Sequence, residues 1–199
     1  MNAASPPRKM NIQQVLAYLG RASSVRRYHN RPLHQADTVG RHSFMVLWIC
    51  WLLAEGAPSN ALLMAAAHHD VPEAILGDLP APIKRLLSEA APGVFGQLEE
   101  RMRAASGIPD YGAALTEEET LALKLADRLE GAMFSAHEVF GMGNHSLLGV
   151  YHGYREYLLE LMGAGPLSTQ PLCDRARELM SIIDQMYLTV EDTEYVVFG

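Results

Sequence analysis

The 199 residues are 49% hydrophobic and carry a formal net charge of -7, with 16 Lys and Arg against 23 Asp and Glu. This length suits one compact domain, and such a chain buries roughly 70% of its unfolded surface. The acidic balance excludes a general affinity for nucleic acid polymers or anionic membranes, which needs a basic patch, but a few local cations suffice for a small phosphate substrate.

In chain order, residues 1–9 read as a flexible lead with no apolar leader segment. The stretch MNIQQVLAYLGRA (10–22) places Met10, Ile12, Val15, Leu16 and Leu19 on one helical face. Residues 23–36 read as a loop rich in Arg and His. A long helix is expected from about Asp37 to Glu55, with Asp37 or Thr38 as N-cap and Gly56 as its stop. It carries His42, and its other face is read as Met45, Val46, Ile49, Leu52 and Leu53. The next helix, capped by Ser59 or Asn60, runs to His69-Asp70, where Pro72 predicts a bend and a short new segment ending at Gly77.

One or two irregular helices are expected over 81–105, around Pro92 and Gly93. Thr116 with Glu119 forms a capping box that opens a helix over 117–140, and amphipathic helices follow at 147–162 and 169–189. No β-alternation persists, so the fold class is all-α, a single domain over residues 10–190 with a C-terminal tail at 191–199. Cys50 and Cys173 have no CxxC spacing, and the apolar run FMVLWICWLLA (44–54) is too short to span a bilayer. A reduced, cytoplasmic protein is expected.

The chemistry concentrates in AAAHHDVPEAILGDLP (65–80). His69 and Asp70 are adjacent, so on a helix they diverge by about 100° and can share one centre only at a helix end or kink. Pro72 supplies that kink. Glu73 lies one turn beyond both, and Asp78 follows Gly77. Several carboxylates crowded together need positive charge to ionise at neutral pH, and a metal is the usual provider. Taken alone, the stretch is equally compatible with Asp70 capping a helix beside core-edge histidines. His42, in GRHSF, and Asp127, inside the apolar LALKLADRLEGA, are further candidates on separate helices, with Arg128 or Arg27 as possible partners for Asp127.

The ordered segments RRY (26–28), V-x2-HS (39–43), HHDVPEAILGDLPAPIK (68–84) and KLADRLEG (124–131) resemble the HD-domain phosphohydrolase superfamily. Within it they are most similar to the YfbR-like deoxynucleotidase branch and its phage dNTP triphosphohydrolases. The resemblance spans residues 10 to about 160 and implies a single HD-domain helical bundle. It implies a divalent metal ion, whether Mn, Co, Fe, Zn or Mg, held by His42, His69, Asp70 and Asp127. It implies catalytic roles for Glu73 and Asp78, phosphate contacts from Arg27 and Lys84, and a nucleoside contact from Tyr28, where the branch often carries tryptophan.

The implied reaction is hydrolysis of a small deoxynucleotide at the α-phosphorus. A dNTP yielding deoxynucleoside and triphosphate is preferred, with 5'-deoxynucleotidase action on a dNMP as the alternative and a non-catalytic nucleotide-binding module behind both. Arg26, His29, Arg31 and His34 are read as a possible clamp for a longer phosphate chain. The implied partners are the small-molecule substrate and further copies of the chain, with no nucleic acid polymer and no membrane. His68, His137, His145 and His152 gain no role.

Overall fold

The computed structural model describes residues 11–164 and 169–188; the predicted flexible lead 1–9, Met10 and the tail 191–199 lie outside them. Nine α-helices occur among these residues: α1 (Ile12–Ser24), α2 (Val39–Leu53), α3 (Asn60–His68), α4 (Glu73–Leu76), α5 (Ala81–Ala90), α6 (Val94–Ser106), α7 (Glu117–Ala136), α8 (Leu148–Ala164) and α9 (Gln170–Leu188). Among the described residues, the one pairing of extended backbone is an isolated bridge between Arg26 and Thr38. The fold is all-α.

Local chemistry explains most boundaries. The Thr38, Ser59 and Thr116 side chains accept the first free N–H groups of α2, α3 and α7, and Glu119 completes the capping box at Thr116. Each such cap stabilises a helix end by about 1 kcal/mol. Gly77 and Gly93, at φ 70° and 77°, close α4 and separate α5 from α6.

Helix α7 is the axis of the bundle and packs against α2, α3, α8 and α9. Its Leu125, Ala126 and Leu129 meet Val46, Ile49, Cys50 and Leu53 of α2, with Leu158 and Ala176 from α8 and α9, in one buried core. Gly131 lets the Tyr154 ring lie against α7, since a Cβ there would come within 2.4 Å of that ring.

In α1, Ile12 and Leu16 are exposed and only Ala22 is buried. Two expectations are corrected. Leu52, read on the face away from His42 with Val46, Ile49 and Leu53, is exposed while His42 and those three are buried, and with Phe44, Trp48 and Trp51 it leaves an aromatic stripe on the outer side of α2. The helix expected over 117–140 ends at Ala136 and widens into a π-turn, His137–Gly141. No described helix is long and apolar enough to cross a membrane.

Candidate metal centre

Four side chains converge where α2, α3 and α7 meet. His42 is fully buried on the inner side of α2, and its Nε2 lies 3.1 Å from His69 Nε2, 3.4 Å from Asp70 Oδ2 and 3.2 Å from Asp127 Oδ1. His69 Nε2 is also 3.4 Å from Asp70 Oδ2. The adjacent His69 and Asp70 can share this point because α3 ends at His68 and the chain turns before α4. The bend expected at Pro72 is present, with Glu73 N–H donating to Asp70 O at 3.0 Å.

The other ring nitrogens decide what this cluster can hold. His42 Nδ1 donates to Glu130 Oε2 at 2.6 Å, and His69 Nδ1 donates to the Ala66 carbonyl at 2.8 Å. Both acceptors lack a proton, so in each neutral ring Nε2 carries the lone pair. Two lone pairs facing each other beside two carboxylates repel unless a cation, proton or metal, lies among them. Two imidazole nitrogens and two carboxylate oxygens about 3 Å apart are a fitting donor set for a borderline divalent ion. His42, His69 and Asp70 form a group whose ligand atoms all lie within 4.8 Å of one another, and Asp127 adds its oxygen from α7.

Electrostatics favours ionised donors. Burial opposes charge on Asp70, but His69 and His42 hold its carboxyl well below the usual range. Burial likewise opposes charge on Asp127, while the His42 hydrogen bond and Arg128 hold it low.

Glu73 behaves oppositely. Burial, then the charge of Asp70, pushes its carboxyl up to about 8, with Asp78 adding to the rise and Lys84 opposing it. Its Oε1 lies 3.4 Å from Lys84 Nζ, and its buried Oε2 has no protein hydrogen-bond partner among the described residues. Asp78 Oδ2 accepts the Tyr28 N–H at 3.0 Å, which holds Tyr28 at φ 53°. The Tyr28 ring stacks on Phe134, and its hydroxyl meets that of Tyr154 at 3.0 Å.

Arg27 is placed differently from an open loop cation. It is buried, and its Nη1 donates to Asp37 Oδ2 and Glu130 Oε2, both at 2.9 Å. Arg41 Nη1 joins the other oxygens of the same two carboxylates at 3.1 Å. Arg128, not Arg27, is the partner of Asp127. The expected clamp turns outward: Arg31 Nη1 donates to Ser146 O at 2.7 Å, and the His34 and Gln35 backbone N–H groups bind buried Glu138. His68 stacks on Tyr111 and stays outside the ligand cluster. His145 and His152 are exposed, and His137 packs on Tyr187.

Sequence reasoning missed Asp37, Arg41, Glu130 and Glu138. Glu130 offered a faint signal, being one turn after Asp127 in an apolar helix where a lone carboxylate is costly. A cavity of about 240 Å³ near His68, Arg103 and Tyr111 shares only His69 with the cluster.

Residues 14–163 match the family model described as 5'-deoxynucleotidase YfbR-like. The chain belongs to the YfbR-like 5'-deoxynucleotidase family. That makes it a hydrolase of the deoxynucleotidase type, and the donor set above fits a divalent metal ion. Among solved structures, it is similar to the cyanophage S-2L HD phosphohydrolase DatZ, bound to dA and one catalytic Zn2+ ion, at TM-score 0.66 and 19% identity, covering 88% of this chain and 97% of that one. An HD-domain phosphohydrolase from Listeria innocua aligns at TM-score 0.61 and 17% identity, over 87% of this chain and 89% of that one. A protein from Pyrococcus furiosus aligns at 0.59 and 24% identity, over 86% and 99%. No curated protein matches the chain significantly.

Proposed function

We propose that this phosphohydrolase cleaves deoxynucleoside triphosphates, dATP among them, at the α-phosphorus, releasing deoxynucleoside and triphosphate. The observation that carries the reading is the convergence of His42, His69, Asp70 and Asp127 beside a buried Glu73 oxygen that has no protein partner. A divalent ion held by His42, His69, Asp70 and Asp127 would supply Lewis acidity to the phosphoryl oxygen and acidify water. Glu73 Oε2 is the proton acceptor for the attacking water, and Lys84, beside it, meets charge on the phosphate oxygens. Asp78 holds the Tyr28 backbone while Phe134 and Tyr154 fix its ring, so an aromatic face is ready for the nucleoside. Arg27 adds positive potential from beneath, anchored through Asp37 and Glu130.

The cyanophage relative, which binds dA, supports a deoxyadenosine substrate; the family description favours a second reading, a 5'-deoxynucleotidase acting on dNMP. Comparing kcat/KM for dATP and dAMP with metal-loaded protein separates them. The proposal expects dATP to be the better substrate, whereas orthophosphate from dAMP with dATP untouched reverses the order. We also infer a homo-oligomer, supported by the exposed Phe44, Trp48 and Trp51 stripe. Light scattering that reads only a 21.9 kDa species would count against it.

A proton acceptor with a raised pKa sets the pH profile. Glu73 keeps its proton toward about 8, so activity rises with pH along a limb displaced above the ordinary carboxylate range. A dication on Asp70 offsets part of that displacement and draws the limb downward. Glu73→Gln is expected to flatten the limb and cut kcat by about 100- to 10,000-fold. An unchanged limb in that variant removes Glu73 from the role. The same shift acts on folding: the folded state holds the proton more tightly, so this contribution to stability is full below pH 4.5 and is lost as pH rises through about 8.

A further inference from the structure

Of the cations around the metal cluster, three are already hydrogen-bonded to carboxylates. Arg27 is buried and spends Nη1 on two carboxylates, Arg41 Nη1 binds the same two, and Lys84 leans on Glu73. Arg128 differs. It follows Asp127 on α7, and its Nε lies 3.6 Å from Asp127 Oδ2, while the other oxygen of Asp127 faces His42. Its guanidinium carbon sits 5.0 Å from the Tyr157 ring centroid and 5.9 Å from that of Tyr154. The side chain is 38% exposed, and none of its nitrogens makes a hydrogen bond to the described residues. A planar fork flanked by two aromatic rings, one residue from a metal ligand, with Nε toward Asp127 and both Nη groups making no hydrogen bond to the described residues, is prepared for a phosphate.

The charge balance points the same way. Asp70 and Asp127 already place negative charge around the site, so a chain of three phosphates needs a cation beyond the metal and Lys84. The loop residue Arg31 does not supply it, because it is turned to Ser146.

We propose that Arg128 is a further substrate-binding residue that grips the phosphate chain beyond the α-phosphorus, and so selects triphosphates over monophosphates. This rests on the deoxynucleotide phosphohydrolase reading above and adds the residue that discriminates chain length. Tyr154 also touches the Tyr28 hydroxyl, so the aromatic face proposed for the nucleoside and the guanidinium share one support.

The test uses inorganic tripolyphosphate and orthophosphate as calorimetric probes on metal-loaded full-length protein, with Arg128→Gln and Arg128→Lys beside the unchanged chain. Arg128→Gln is expected to weaken tripolyphosphate binding by about 10- to 100-fold, with orthophosphate binding and metal content unchanged. Arg128→Lys keeps the charge but loses the fork, and should recover part of the loss. Equal tripolyphosphate affinity in all three proteins overturns the proposal, as does failure of the unchanged chain to bind tripolyphosphate. A parallel fall in orthophosphate binding and metal content also overturns it, because Arg128 would then serve only to orient Asp127. Arg128-dependent tripolyphosphate binding without dNTP turnover leaves this inference standing and defeats the proposed reaction instead.

Discussion

Asp70→Ala is expected to lose bound divalent metal and turnover together while the fold persists. Asp70 is the member of the cluster that reaches both imidazoles, with Oδ2 at 3.4 Å from His42 Nε2 and from His69 Nε2. Without it, the two histidines and Asp127 offer a weaker, less charged donor set. Metal chemistry of this kind supplies several kcal/mol of transition-state stabilisation, so kcat/KM should fall by at least about a thousandfold. The fold survives because Asp70 caps no helix by its side chain and does not belong to the apolar core. Losing its charge also removes one cause of the raised Glu73 carboxyl, so Glu73 titrates lower in the variant. Elemental analysis after gel filtration, paired with turnover of dATP and dAMP, reads the result. Full metal stoichiometry and undiminished activity would contradict the assignment.

The second large effect is expected at Glu130, a residue with no ligand role. Its fully buried carboxylate accepts from His42 Nδ1, Arg27 and Arg41. It therefore fixes the tautomer of a metal-binding histidine and neutralises the guanidinium beneath the site. Glu130→Ala leaves Arg27 buried with Asp37 as its remaining carboxylate partner, and breaking a buried pair in this way costs about 3–5 kcal/mol. For a domain of this size that corresponds to a Tm lower by about 6–20 °C. Glu130→Gln keeps the shape but weakens the hold on His42, and should reduce metal affinity by about 10- to 100-fold with a smaller drop in Tm. Thermal unfolding and metal titration of the two variants separate the effects. Unaltered metal affinity in Glu130→Gln would show that His42 needs no carboxylate behind it.

What the sequence disclosed follows the range of the forces involved. Caps and breaks are local, so Thr116 with Glu119, Pro72 and Gly77 could be read directly, and they place Asp70 and Glu73 around a bend. Helical periodicity reveals that a segment is a helix but not what covers its face, which is why Ile12, Leu16 and Leu52, each read on an apolar helical face, are exposed. The pairing of His42 with Glu130, 88 residues apart, leaves no local trace. Nor does the burial of Arg27: a loop arginine looks solvated until Asp37 and Glu130 close around it. The π-turn after Ala136 is likewise set by tertiary contacts, since Glu138 must face inward to bind the His34 and Gln35 backbone. The ligand candidates were legible because imidazole and carboxylate chemistry is specific to few residue types. The residues that hold them in place were not.

The account stands most directly on which bond is cut. Metal-loaded protein is incubated with dATP, and the released anion is identified by phosphorus NMR. Attack at the α-phosphorus, with Glu73 taking the proton, predicts deoxyadenosine and intact tripolyphosphate. Orthophosphate with dADP would place the reacting phosphorus elsewhere, and pyrophosphate with dAMP would mean that the 5'-oxygen is not the leaving group; either contradicts it.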